Sequence, residues 1–218
     1  MSTLQDRLRT VHGRIDAACR VASRARDSVQ LLCVSKTQPA EAVRAAWLLG
    51  ERHFGENYVQ EGVAKIAALR ALPGIVWHCI GPLQSNKTRL VAEHFDWVHS
   101  VDSLKLAKRL SDQRPAQLAP LQICLQVNTS GETSKSGVAP PELPALAGEI
   151  AKLPRLQLRG LMHIPAPGSE ARVHRQLADL LQPGMDQLSM GMSDDLEAAV
   201  AAGSTMVRIG TAVFGQRP

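Results

Sequence analysis

The chain has 218 residues, a little above the usual one-domain range of roughly 100 to 200, so length admits one large domain or two cramped ones. With 44% hydrophobic and 21% charged residues and no apolar run near the ~18 residues that a membrane helix needs, the composition excludes a disordered, collagenous or membrane-spanning chain. Lys and Arg outnumber Asp and Glu by 25 to 20, a net charge of +5 with a pI near 9.3. That balance permits an anionic partner, and a phosphate on a small molecule suits it as well as nucleic acid does.

The opening STLQDRLRTVHGRIDAACRVASRARD places Leu4, Leu8, Val11, Ile15 and Ala18 at a 3.6-residue period. This predicts a leading amphipathic helix within 1–27, one face packed and the Arg-rich face in water. Asp6, Asp16 and Asp27, and the lack of an apolar core, argue against a targeting segment. Cys19, Cys33, Cys79 and Cys124 are widely spaced with no CxxC or zinc pattern. They read as buried free thiols of a reducing compartment, so no metal site is expected and the expected location is cytoplasmic.

From residue 29 onward short β-type runs alternate with longer helical ones, the pattern of parallel strands joined by crossover helices. Strands are predicted at 29–36, 52–55, 75–80, 96–101, 121–128, 156–163, 186–190 and 205–209. Helices begin near Pro39, Asn57, Gln84, Ser103, Pro141, Ser169 and Ser193, with Pro39 in a first turn that needs no N–H. Ser193 is expected as a cap, with Asp194 and Asp195 on the helix dipole. Eight strands over residues 29–218 leave about 24 residues per strand–helix unit, compact against the ~250 residues typical of a (β/α)8 barrel. No linker or sequence repeat interrupts them. An open doubly wound sheet is the rival, but neither GxGxxG after a strand nor GxxxxGK[ST] is present. The predicted fold is α/β, a single (β/α)8 barrel spanning 1–218 with an extra N-terminal helix.

In such a barrel chemistry sits at the C-terminal ends of the strands. Lys36 closes LLCVSKTQP, and Leu32 and Val34 share its side, so its ammonium is aimed into the barrel mouth. An arbitrary lysine there would more often snorkel to solvent; held in a dry mouth, it becomes a neutral amine able to attack an aldehyde. In MVRIGTAVFG the alternation puts Met206, Arg208 and Gly210 on one side, so Arg208 points where Lys36 points. Gly210 and Thr211 open a short final helix, and the LSMGMSDD loop offers Ser189 as a hydroxyl donor and Gly191 for close approach, in the position where this fold binds phosphate. Taken singly these are ordinary turns; with Lys36 they suggest a ligand that carries an aldehyde and a phosphate. Asn57 either donates to a ring oxygen or caps a helix, and His78 either faces a ligand or is a core histidine, the commoner case. His94 and His99 lack metal spacing and acidic companions and are assigned no site. Lys135, in NTSGETSKSG, is a second anion contact or a solvated tip.

Six stretches in order, VSKTQP, HFGENYVQEG, WHCIGPLQSNKTRL, VNTSGETSKSG, LRGLMHIPAP and LSMGMSDDLEAAVAAGSTMVRIGTAVFG, resemble the pyridoxal phosphate homeostasis proteins, also called the proline synthase co-transcribed homologue family. The resemblance covers nearly the whole chain. It implies a barrel like the N-terminal domain of alanine racemases, holding pyridoxal 5′-phosphate as an aldimine on Lys36. It also implies Arg208 near the pyridine nitrogen, Ser189, Gly210 and Thr211 around the phosphate, Asn57 and His78 lining the ring, and Lys135 at a position implicated in handling the cofactor. Arginine beside the ring nitrogen keeps it unprotonated and so weakens the cofactor as an electron sink. Two departures stand out. Residues 168–187 are shorter than the usual family segment by roughly three helical turns, which makes the seventh crossover helix the weakest expected element. Gln38 stands where many relatives have lysine, so it supplies no amine beside Lys36.

The resemblance and the residues favour a binder that buffers or delivers pyridoxal phosphate in intracellular vitamin B6 homeostasis, with no catalytic residue assigned. Apoenzymes that use pyridoxal phosphate are candidate partners, a monomer is the expected state, and neither nucleic acid nor membrane is expected. The alternative is a racemase or another pyridoxal-phosphate enzyme of low activity. A racemase needs a base on each face of its substrate, and the chain's one tyrosine, Tyr58, falls early in a predicted helix. An RNA-associated protein is a third reading, disfavoured by 3% aromatics and scattered basic residues.

Overall fold

The computed structural model describes residues 2–130, 136–166 and 170–216. Lys135 lies outside them. Eight parallel strands close into a barrel in sequence order: β1 Gln30–Val34, β2 His53–Glu56, β3 Val76–Cys79, β4 Trp97–Val101, β5 Leu121–Gln126, β6 Leu156–Met162, β7 Gln187–Ser189 and β8 Met206–Ile209. The ring closes where Gln30 to Cys33 of β1 pair with Met206 to Ile209 of β8. Each predicted strand is found, trimmed or shifted by a residue or two.

The crossover helices are α2 Ala40–Leu48, α3 Val59–Ala68, α4 Thr88–His94, α5 Leu104–Gln113, α6 Leu143–Ile150, α7 Glu170–Asp179 and α8 Leu196–Ala201. The shortened segment still forms α7. Its Val173, His174 and Leu177, at positions i, i+1 and i+4 within about one turn, are all buried. Two helix starts differ from expectation. Pro39 stands at the N-cap of α2 instead of in its first turn. Ser193 does not cap α8; Asp195 holds that position, and its carboxylate accepts from the Met192 N–H and bonds His174 instead of capping.

The leading helix, α1 Leu4–Val21, starts at a capping box in which Thr3 and Asp6 satisfy each other's backbone N–H. Leu8, Val11, Ile15 and Ala18 are buried as the period predicts, and the helix packs on α8 and on α9 Thr211–Phe214. The arginine face is only partly wet. Arg7 Nε donates to Val213 O at 2.7 Å, Arg14 pairs with Glu197 at 2.8 Å, and Arg24 donates to Val200 O and Ser204 O at 2.9 and 2.7 Å. Arg7 and Arg24 sit at the carbonyl ends of α9 and α8, whereas Arg14 pairs at the first turn of α8.

Outside the barrel, Leu31, Cys33, Val98, Ile123 and Val207 join the large core beneath the helices. Inside, two smaller apolar groups form: Trp97, Cys124, Met162 and Met206, and Leu32, Val34 and Ile80. The rest of the interior is polar, with His78, His99, Ser189 and Arg208 all buried. The four cysteines are buried free thiols, and no helix among the described residues is long and apolar enough to cross a membrane.

Candidate functional site

Lys36 follows β1 in a turn closed by Gln38 N–H onto Ser35 O at 3.0 Å. The next residue, Thr37, has φ +64°, a left-handed conformation that costs a β-branched side chain free energy and persists only where neighbours enforce it. Here a buried ion network enforces it. Lys65 Nζ donates to Ser35 O at 2.6 Å and to Glu56 Oε1 and Glu61 Oε1 at 2.7 Å each. Ser35 Oγ donates to Glu56 Oε1, and the Thr37 N–H donates to Glu61 Oε1, both at 2.6 Å. Both chain neighbours of Lys36 are therefore held by one cluster from β2 and α3. Burial pushes the Glu56 carboxyl up, against the hydrogen bonds from Lys65 and Ser35.

Lys36 lines a small cleft with Val34, Gln38, Gly210, Thr211, Phe214 and Gly215. Ends of the chain 174 positions apart thus meet across the β1–β8 closure, and Lys36, Gly210 and Thr211 are brought together. Asn57 stands half-buried in the loop after β2. It does not cap α3, since Tyr58 holds that position, and its side-chain amide makes no hydrogen bond among the described residues. A Cβ on Gly81 would lie 2.7 Å from Asn57 Cα and closer still to Asn57 O, so the β2 and β3 loops meet only because residue 81 is glycine. Tyr58 itself is 58% exposed.

Arg208 lies inside the barrel, 6% exposed. Its Nη1 donates to Ser189 O and, at 2.8 Å, to Ser189 Oγ, and its Nη2 donates to His163 O at 2.8 Å. Burial without a bonded carboxylate lowers the guanidinium pKa to about 10, still charged at neutral pH. Its Nε has no partner among the described residues. Ser189 does not line the Lys36 cleft; its hydroxyl bonds Arg208 and His99, and it braces the arginine from within.

His78 is also internal, and it belongs to a chain that reading single residues missed. His53 Nδ1 stands 3.0 Å from His78 Nε2, His78 Nδ1 2.9 Å from His99 Nε2, and His99 Nδ1 2.7 Å from Ser189 Oγ. Arginine only donates, so the Ser189 proton goes to His99, and each imidazole then accepts at Nδ1 and donates at Nε2. That is the one assignment in which each of these contacts has one proton. Burial, then the Arg208 charge, holds His99 at about 3, and burial with its histidine neighbours holds His78 well below the usual imidazole range. His99, to which the sequence assigned no site, is the middle of this chain. The signal was one of parity: His78 is paired with Trp97, two residues before His99 on the same face of β4.

A second chain lies at the ends of β5 and β6. Thr129 Oγ1 is 2.9 Å from His163 Nδ1, His163 Nε2 2.8 Å from His174 Nδ1, and His174 Nε2 3.0 Å from Asp195 Oδ2. Both histidines are fully buried.

The family model described as alanine racemase, N-terminal domain, matches residues 14–218. A pyridoxal phosphate homeostasis protein of Pseudomonas aeruginosa is 58% identical over 225 residues, covering 100% of this chain and 97% of the relative. Its counterpart in Escherichia coli is 55% identical over 229 residues, at 100% and 98% coverage. The chain belongs to the pyridoxal phosphate homeostasis protein family. The likeness extends to solved structures: PipY of Synechococcus elongatus, with PLP bound, superposes at a TM-score of 0.83 with 40% identity, covering 98% of this chain and 100% of that one. An alanine racemase of Clostridium difficile superposes at 0.71 with 14% identity over 95% of this chain and 57% of the racemase, which is likeness of fold. Family membership thus meets a site in which Lys36, Gly210 and Thr211 line one cleft.

Proposed function

We propose that this chain binds pyridoxal 5′-phosphate through a Schiff base on Lys36 and acts as a buffer or carrier in intracellular vitamin B6 homeostasis. The observation that carries this reading is the shared cleft of Lys36, Gly210 and Thr211. An amine able to bond an aldehyde stands across from loop backbone suited to a phosphate. The family's printed name and the PLP-bound PipY structure support it. When bound, the cofactor supplies an aldehyde carbon that exchanges between amines and a ring that can accept electron density.

The residues fit that group. Arg208 spends Nη1 and Nη2 on Ser189 and His163 and leaves Nε as a donor for an unprotonated ring nitrogen. A cation there disfavours ring protonation, which weakens the electron sink and suits holding the cofactor over transforming a substrate. Asn57 offers an uncommitted amide beside the mouth. Apoenzymes that need the cofactor are the proposed recipients, a monomer the proposed state and the cytoplasm the proposed location.

Borohydride reduction of the loaded protein, followed by peptide mass analysis, tests the reading. A pyridoxyl adduct on Lys36, absent from Lys36→Ala, is expected. Retention of the reducible adduct by Lys36→Ala would overturn it. Exchange of an amino acid's α-hydrogen for deuterium at sustained turnover would favour the enzyme alternative.

A further inference from the structure

Thr129, His163, His174 and Asp195 come from four separate segments: the loop after β5, the end of β6, helix α7 and the loop after β7. Their protons can be assigned by counting donors. Asp195 Oδ1 accepts the Met192 N–H, and Oδ2 accepts from His174 Nε2. A neutral His174 then accepts at Nδ1 from His163 Nε2, and His163 accepts at Nδ1 from the Thr129 hydroxyl. Every donor points toward the carboxylate. The Thr129 end is half-buried and lines a cavity of about 380 Å³ with Pro82, Asn128, Ser130, Ser136 and Ile164. Among the described residues Arg208 is also in contact, its Nη2 donating to the His163 carbonyl.

We propose that this relay is a proton-accepting site at the barrel mouth for a primary amine entering the adjoining cavity. The inference rests on the cofactor reading above. A primary amine arrives at neutral pH as an ammonium ion, with no lone pair for bonding carbon. The ammonium N–H bond breaks toward Thr129 Oγ1 as the hydroxyl proton passes to His163 Nδ1 and the His163 Nε2 proton passes to His174 Nδ1. His174 ends protonated at both nitrogens beside the Asp195 carboxylate, where the positive charge is paired. The freed amine bonds the carbon held by Lys36 and gives up one of its own N–H protons to the Lys36 nitrogen as the bond from that carbon to Lys36 breaks, while the relay returns its proton to solvent. Burial, with His174 and Arg208 nearby, holds His163 at about 3, so this imidazole rests neutral at neutral pH.

The test compares two amines on the loaded protein near neutral pH. Propylamine arrives protonated and methoxyamine does not. His163→Gln and Asp195→Asn are expected to slow propylamine by about 10²-fold, the usual scale of positioned acid–base catalysis, and to leave methoxyamine nearly unchanged. Equal slowing of both amines, or of neither, would overturn the relay. Thr129→Val, at a half-buried position, gives the same comparison if the buried variants do not fold. Independently of loading, nuclear magnetic resonance of the cofactor-free protein is expected to show an exchange-protected His174 ring N–H that moves upfield in Asp195→Asn. An unmoved signal would count against the relay. If no adduct on Lys36 forms in the wild type, it is the cofactor reading that has failed, a result distinct from both.

Discussion

Arg208 Nη1 stands 2.8 Å from Ser189 Oγ, and that hydroxyl is 2.7 Å from His99 Nδ1. A permanent cation at one end fixes the direction of every hydrogen bond beyond it, through His99 and His78 to His53. The opposite opening of the barrel is where His53 lines a cavity with Gln30, Trp97 and Met206. The interior of this barrel is therefore an ordered polar line between apolar groups, and the arginine is its organising charge.

Removing that charge should be costly. Arg208→Leu leaves the Ser189 and His163 carbonyls without their donor and the Ser189 hydroxyl without one of its two partners. A loss of about 1–3 kcal/mol is expected for each buried group left unsatisfied. Urea unfolding of the cofactor-free protein reads it as a lower midpoint at unchanged slope. A variant as stable as the wild type would mean that the interior repacks without the cation.

Acid should destabilise the fold from about pH 6.5 downward. His99 and His163 are lowered from 6.5 to about 3 in the folded chain, so between those values the unfolded chain binds protons that the folded chain does not. Stability then rises with pH across this window, each histidine contributing a slope of about 1.4 kcal/mol per pH unit. His78, shifted the same way, adds to it. Unfolding free energies measured at several pH values should show this slope, and His99→Gln should reduce it by one histidine's share.

The cluster that flanks Lys36 should couple stability to cofactor capture. Lys65→Met leaves Glu56, fully buried, without its cation, a change expected to cost about 3–5 kcal/mol. It also frees Glu61, which holds Thr37 in its left-handed turn. Slower adduct formation on Lys36 is expected under conditions where the variant remains folded. Capture at the wild-type rate would show that the turn keeps its shape without Lys65.

Gly81→Ala should perturb Asn57 specifically. The added methyl meets backbone of the β2 loop, which cannot swing aside as a side-chain end can, and overpacking of this kind costs about 1–3 kcal/mol. Weaker cofactor retention with an intact far-ultraviolet spectrum is the expected outcome, while retention equal to wild type would place Asn57 outside the binding surface.

The eight strands, the leading helix and the family were legible in the amino-acid order, because period 2 against period 3.6 and the turn residues are local signals that each segment carries alone. The inward aim of Met206 and Arg208 followed from alternation in the same way. The cap of α8 was misplaced because Asp195 had a competing partner in His174, contributed by another helix. The histidine chains were not legible. Strands of a parallel barrel are buried on both faces, so sequence does not mark which polar residues meet inside: His78 read as a ligand contact or a core histidine, His99 was assigned no site, and His163 carried no signal of its own. Only closure of the sheet brought β3, β4, β7 and β8 around one axis and lined up their donors and acceptors. Only the folding of α7 and α8 onto the barrel set His174 and Asp195 behind His163. Composition and periodicity determined what this chain folds into; which polar groups share a proton was decided by contacts between residues far apart in sequence, whose energies depend on distances that sequence order does not carry.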